Sequence, residues 1–266
     1  LRRETLYEVL KKAKEFGIEK VFVETNGTLI SDEDLNLFKK YGIDISVSLD
    51  GAVKETNDYI RGKGSYEKTI NAIKKLTNSG VQTRIGMTLM KPNIKEVDKI
   101  VYLAKDLGVN SISFNLIFDV GRTKIHKNLL LNFEEAHLAV LAAWRKAKEL
   151  GIETNFEGQF KILEELEKRD ACNAGKEILS VSSDGNVYPC NMFLGIGQFN
   201  AGNLRERRLE NIWRKSAALK KLRHVSVLEI EGCKDCEMKF KVLVERVARV
   251  SPKHPICGFL HSAVLI

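Results

Sequence analysis

Four cysteines have the type and spacing to hold a metal. Cys172 is followed after twelve residues by Gly185, and Gly185-Asn186-Val187-Tyr188-Pro189-Cys190 reads Gly-x4-Cys. Further on, Cys233-Lys234-Asp235-Cys236 is a Cys-x2-Cys turn. Iron–sulfur clusters and zinc both need several soft thiolates from separate segments, because four ligands converge tetrahedrally. A Cys-x2-Cys turn delivers two of them from one tight loop. By itself that turn says little; joined to Cys172 and Cys190 it forms a candidate ligand set, with four structural thiols as the plainer alternative. The fifth cysteine, Cys257, sits in a tail of odd character and reads as incidental. All five cysteines follow position 171. The odd count argues against a disulfide framework. His126, His137, His224, His254 and His261 show no metal spacing, and no Ser-His-Asp arrangement or phosphate-binding glycine loop is present.

A second set is polar rather than thiolate: Thr25-Asn26-Gly27, Ser48-Leu49-Asp50-Gly51, Arg61-Gly62 and Asp119-Val120-Gly121-Arg122. Taken singly, these are ordinary strand-ending turns and a surface arginine. Together they suit a ligand with hydroxyl and carboxylate groups, since Ser and Asp bind hydroxyls and Arg binds carboxylates.

The elements that must position these residues alternate regularly. Helical apolar spacing runs over 6–16, from Ser31 (a candidate cap) to Gly42, and over 65–76, 94–107 and 133–150. Strand patterns cover 20–24, 43–49, 82–89 and 111–118. A strand–loop–helix–Gly unit recurring every 30 to 40 residues indicates βα units and a parallel sheet. Functional loops of such folds lie at the carboxyl ends of the strands. Those ends read Thr25-Asn26-Gly27, Ser48-Leu49-Asp50-Gly51, Met90-Lys91-Pro92-Asn93 and Asp119-Val120-Gly121-Arg122. The polar set therefore falls on one rim. After Gly151 the pattern changes to short strand-like pieces at 178–181, 186–188 and 199–204 around the turn Ser183-Asp184-Gly185-Asn186, then a helix over 209–222. A domain boundary is expected near 152–171.

Composition bounds the partners. The chain has 266 residues, 44% hydrophobic and 29% charged, with a net charge of +8; it is globular rather than disordered. No apolar run is long enough to span a bilayer and no signal-peptide core follows the first residues, so a cytoplasmic protein without membrane contact is expected. Lysines alternate with glutamates, as on solvated helices. The denser stretch Arg205 to Arg223 could attract an anionic partner, but no nucleic-acid module accompanies it, and nucleic acid is not expected.

The ordered segments Val23-Glu24-Thr25-Asn26-Gly27-Thr28-Leu29, Ser46-Val47-Ser48-Leu49-Asp50-Gly51 and Asp58-Tyr59-Ile60-Arg61-Gly62-Lys63-Gly64-Ser65-Tyr66 closely resemble the third and fourth βα units of radical S-adenosylmethionine (radical SAM) enzymes. Phe118-Asp119-Val120-Gly121-Arg122 resembles the end of the family's sixth strand. Cys172 to Trp213, with Cys-x12-Gly-x4-Cys, Ala201-Gly202-Asn203-Leu204 and Leu209-Glu210-Asn211-Ile212-Trp213, is similar to the family's SPASM extension. The resemblance runs from Leu1 to about Phe240.

The resemblance implies an α/β fold: a partial (β/α)6 radical SAM barrel of parallel strands over 1–151, then a linker and a small SPASM-like β-hairpin and helix module over 152–240, then an atypical tail over 241–266. In this family a 4Fe–4S cluster cleaves SAM to a 5′-deoxyadenosyl radical, and SPASM clusters are auxiliary. By resemblance, Ser48 and Arg61 contact the ribose and amino-acid parts of SAM, Asp50 shapes that loop, and Asn26 and Leu116 line the same pocket. Cys172 and Cys190 serve one auxiliary 4Fe–4S cluster, and Cys233 and Cys236 another. The parent activity is radical modification of a peptide or of a tetrapyrrole-like cofactor precursor, with a reductase as a candidate electron donor.

Two departures qualify this. The family's Cys-x3-Cys-x2-Cys and its Gly-Gly-Glu-Pro loop are not among these residues, so the chain is expected to begin inside the barrel and to be inactive in SAM cleavage. The family also continues from Cys236 as x5-Cys-x3-Cys, where this chain has Val242 and Arg246; the auxiliary cluster set is incomplete, and a frameshift is one expected origin of the tail. The alternative function is a non-catalytic iron–sulfur or zinc-binding subunit, or a peptide-binding module.

Overall fold

The computed structural model describes residues 3–117, 127–131, 133–156 and 173–224. The chain separates into two compact units, Leu1–Phe160 and Lys161–Ile266.

The first unit is built on five parallel strands in the order β1-β2-β3-β4-β5: β1 (Phe22–Thr25), β2 (Asp44–Ser48), β3 (Thr83–Leu89), β4 (Ser111–Leu116) and β5 (Glu153–Phe156). The helices are α1 (Arg3–Glu15), α2 (Asp32–Tyr41), α3 (Lys54–Arg61), α4 (Ser65–Asn78), α5 (Val97–Asp106) and α6 (Phe133–Leu150). Sequential parallel neighbours joined by helices are the repeated βα plan that the spacing predicts.

Two elements differ from the sequence reading. β5 adds a fifth parallel strand where four were expected. Its residues Glu-Thr-Asn-Phe carry no apolar alternation; it forms because Ser111 to Phe114 offer a free ladder edge to Glu153 to Phe156. α3 is also new, a helix of eight residues between β2 and α4.

Alternation along the strands divides the sheet into two faces. Ile45, Val47, Leu49, Ile85, Met87, Leu89, Ile112 and Phe114 are buried in one core with Leu35 and Phe38 of α2, Ile73 and Leu76 of α4, Ile100 and Ala104 of α5, and Ala143 and Ala147 of α6. The opposite face carries Ser46, Ser48, Arg84, Gly86, Thr88, Ser111, Ser113 and Asn115 in side-by-side rows, with Ser48 beside Gly86 and Gly86 beside Ser113. Parallel strands buried on both faces read as continuous apolar runs; the polar alternation here marks a sheet with one working face.

Local signals fix the ends. Ser31 caps α2, its hydroxyl accepting from the Asp34 N–H while the Asp34 carboxylate accepts from the Ser31 N–H at 2.7 Å, as its position predicts. Asp34 also accepts from the Arg3 guanidinium, with both bonds at 3.0 Å, and from the Tyr7 hydroxyl at 2.7 Å, tying α1 to α2. Burial pushes Asp34 up, but the Ser31 N–H, the Tyr7 and Ser31 hydroxyls and Arg3 outweigh it and hold the carboxyl below its usual value.

The second unit holds a three-stranded antiparallel sheet, β6 (Ser180–Val181), β7 (Asn186–Tyr188) and β8 (Gly202–Asn203), with two short helices, α7 (Leu209–Lys215) and α8 (Ala217–Arg223). Gly185, at φ +90°, turns the chain between β6 and β7. The helix expected over 209–222 breaks at Ser216, whose backbone is extended (φ −61°, ψ 125°). The break lets Ile212 and Leu219 reach one apolar cluster with Val187 and Ala201.

Candidate functional site

The carboxyl-end rim of the sheet is fastened by side chains rather than by ladder bonds. The Leu49 N–H donates to the Gly86 carbonyl at 3.0 Å, next to the end of the paired β2 and β3 residues. Beyond it every polar atom of Asp50 is engaged. Its N–H donates to Asn57 Oδ1 at 3.0 Å, and its carbonyl accepts from Asn93 Nδ2 at 2.8 Å. Its Oδ1 accepts from the Thr88 N–H at 2.7 Å, and its Oδ2 lies 2.7 Å from Arg61 Nε. That last contact is an ion pair by distance; the Nε–H is not aligned for a hydrogen bond, and Nε is buried without one. Asp50 is only 4% exposed. Burial pushes its carboxyl above the usual value, against the opposing pull of Arg61 and of the Thr88 N–H.

α3 supplies two of these contacts. Gly51 permits it to approach, since a Cβ there would sit 2.4 Å from the Asn57 nitrogen. Asn57 is fully buried, and its Nδ2 donates to Ser65 Oγ at 2.9 Å. Arg61 closes α3, and its side chain is 25% exposed. Asp58 joins α3 to α4 by accepting from the Gly64 and Tyr66 N–H groups, both at 2.8 Å, and from the Ser65 hydroxyl. These bonds hold its carboxyl below the usual value. Because Gly64 brings no side-chain cap, Asp58 acts as the cap of α4 from the preceding helix.

The predicted rim residues fall as follows. The structure brings Asp50 and Arg61 into contact. Ser48 ends β2 two residues before Asp50, on the polar face. Among the described residues the Ser48 hydroxyl and the Arg61 Nη1 and Nη2 groups make no hydrogen bond. Asn26 is exposed just past β1; its Oδ1 accepts from the Thr28 N–H and hydroxyl at 3.1 and 3.0 Å, and its carbonyl accepts from Thr69. Leu116 is the last residue of β4, in register with Leu89. Asp119 and Arg122 lie outside the described residues.

Sequence reading missed Asn57, Asn93 and Glu96. Asn93 was visible only as part of a rim loop. Glu96 accepts from the Ala52 N–H at 2.7 Å and from the Thr56 hydroxyl. The available signal was a polar residue at each loop, but not which carbonyl it would meet.

Of the predicted metal ligands, Cys190 is described; Cys172, Cys233 and Cys236 lie outside the described residues. Cys190 follows β7 and leads the turn Asn191–Phe193, half-buried and in no disulfide. It packs with Ala174, Tyr188, Phe193, Phe199 and Leu222, an apolar surround that suits a soft thiolate ligand better than a hard-cation site. Ala174, two residues after Cys172, shares that shell. Among the described residues, no three His, Cys, Asp or Glu side chains converge on a metal site, and no helix is long and apolar enough to cross a membrane.

Comparison with known proteins matches the sequence and the fold to a family. Residues 1–104 match the radical SAM superfamily profile and residues 172–237 match the SPASM profile, described as an iron–sulfur cluster-binding domain. The AdoMet-dependent heme synthase of Methanosarcina barkeri is 29% identical over 259 residues, covering 90% of this chain and 72% of that protein. The subtilosin biosynthesis protein AlbA of Bacillus subtilis is 32% identical over 216 residues, covering 79% of this chain but only 45% of that protein. Streptococcus suis SuiB bound to S-adenosylmethionine shares the fold with a TM-score of 0.74 at 20% identity, covering 94% of this chain and 60% of SuiB. The two profiles match in order along the sequence, and the five-stranded parallel sheet agrees with the fold: the chain belongs to the radical SAM superfamily and carries a SPASM iron–sulfur cluster-binding region.

Proposed function

We propose that these 266 residues anchor SAM through Arg61 and Ser48 and hold auxiliary cluster ligands through Cys172, Cys190, Cys233 and Cys236. The observation that carries this is the buried Asp50 carboxylate set 2.7 Å from Arg61 Nε at the strand rim. On this reading the guanidinium fork donates to a ligand carboxylate, and Ser48, on the polar face of the same strand end, meets a ligand hydroxyl. Asn26, just past β1, and Leu116, the last residue of β4, are assigned to the same SAM site by the family resemblance. SAM supplies hydrogen-atom abstraction when it is bound beside a reducing cluster. The chain's own part is to bind and orient it: Arg61 fixes the amino-acid end, Ser48 the ribose, and the apolar shell around Cys190 covers one side of a thiolate.

The parent activity is modification of a peptide or a tetrapyrrole-like cofactor precursor, with a reductase as electron donor. Support comes from relatives named for subtilosin biosynthesis and for heme synthesis. The five cysteines include no Cys-x3-Cys-x2-Cys, so this chain by itself does not cleave SAM. Anaerobic reconstitution with iron and sulfide, followed by iron counting, SAM titration and assay for 5′-deoxyadenosine, tests the whole reading. Expected are SAM binding that Arg61→Ala abolishes, bound iron that Cys190→Ser lowers, and no 5′-deoxyadenosine. Zinc retained without iron, and no SAM binding, would replace this reading with that of a metal-binding module.

A further inference from the structure

We infer that Asn93 is the positioning residue for Arg61: it splices the loops after β2 and β3 into one rim and thereby sets where the guanidinium fork meets a ligand carboxylate. This rests on the reading of Arg61 as the SAM anchor.

Asn93 lies four residues past the end of β3 and is fully buried. Its Nδ2 donates to the Asp50 and Thr88 carbonyls, both at 2.8 Å, and its Oδ1 accepts from the Met90 N–H at 2.9 Å. One side chain thus replaces the ladder bonds that stop near Leu49. The Thr88 N–H holds the carboxylate of the same Asp50 at 2.7 Å, so Asp50 is fastened to the β3 rim at its main chain by Asn93 and at its side chain by Thr88. With both ties in place, Oδ2 has one direction left, toward Arg61. Three residues further on, Glu96 grips the same loop at Ala52 and Thr56.

Without the Asn93 amide, two buried carbonyls and one N–H lose their partner. Asp50 then keeps its N–H bond to Asn57 but only one tie to the β3 rim, the Thr88 N–H on Oδ1, about which its carboxylate can turn, and Arg61 follows it. Asn93 touches no ligand in this account; it acts through Asp50.

The test titrates SAM and decarboxylated SAM (S-adenosylmethioninamine), which lacks the carboxylate, into the purified chain and into Arg61→Ala, Asn93→Ala and the double variant. The ratio of the two dissociation constants reads the carboxylate contact alone, and it is insensitive to any misfolded fraction. Wild type is expected to prefer SAM by about tenfold or more, and Arg61→Ala to show no preference. Asn93→Ala is expected to lose at least about threefold of the preference and to add nothing in the Arg61→Ala background, as for coupled neighbours. Asn93→Ser, which retains a donor for one of the two carbonyls, gives an intermediate ratio and serves if the alanine variant does not fold. A wild-type ratio in Asn93→Ala or Asn93→Ser, or full additivity with Arg61→Ala, overturns the inference while leaving Arg61 as the anchor. No preference in wild type, or a preference that survives Arg61→Ala, removes the anchor itself and the inference with it.

Discussion

Substituting Gly51 by alanine perturbs the site without touching a polar group. The added Cβ would lie 2.4 Å from the Asn57 nitrogen, 2.9 Å from its Cα and 3.0 Å from the Thr56 carbonyl carbon. All three are backbone atoms of α3, so no rotamer relieves the clash, and the helix must retreat by about 1 Å to reach ordinary contact. Overpacking of this kind costs about 1–3 kcal/mol. The retreat also stretches the 3.0 Å bond from the Asp50 N–H to Asn57, and leaving that buried N–H unpaired costs about 1–3 kcal/mol more. A combined loss of about 2–6 kcal/mol lowers the melting temperature by roughly 4–24 °C for a chain of this size. Gly80→Ala is the control: its φ is +73° and nothing lies within 4 Å, so only the left-handed backbone penalty of about 1–2 kcal/mol applies. Thermal melts by circular dichroism compare the two, and SAM titration of Gly51→Ala reads the displaced Arg61. If Gly51→Ala melts no lower than Gly80→Ala, α3 does not press on the loop as described, and the account of the rim is wrong.

Two further outcomes follow from the same structure. Asp50 and Asp34 have opposite linkage signs. The folded carboxyl of Asp50 is raised, so its contribution is full below the ordinary 3.8 and is lost as pH rises through the folded value; Asp34 is lowered, so its contribution is full above 3.8 and is lost as pH falls through its folded value. Urea unfolding across acidic pH should therefore show the stability difference between wild type and Asp50→Asn moving toward wild type on acidification, and that for Asp34→Asn moving the other way; the same direction for both would refute the assignment. In the second unit, the Arg223 guanidinium stacks on Trp213 at 4.1 Å and donates to the Gly175 and Trp213 carbonyls at 2.6 and 2.7 Å. Arg223→Lys should not restore what Arg223→Ala loses, about 2 kcal/mol or more, with Trp213 fluorescence following the unfolding of that unit.

Much of this protein was legible in its sequence because the deciding physics is local. Alternation of apolar and polar residues over Ile43 to Leu49 determined a strand with one buried face, Ser31 and Gly42 determined the ends of α2, and Gly185 determined the β6–β7 turn. The segments around Asn26, Ser48 and Arg61 and the spacing from Cys172 to Cys190 carried the family. The tertiary structure decided what no spacing expresses. β5 is a strand only because β4 offers it an edge, and Ser216 breaks a helix so that Ile212 and Leu219 can share a core. Asp50 became the hub of the rim because its four polar atoms meet Asn57, Asn93, Thr88 and Arg61, drawn from positions 7 to 43 residues away in the chain. Hydrogen bonds between distant loops depend on burial and on which carbonyl is left unpaired at a strand end, and both are properties of the assembled sheet.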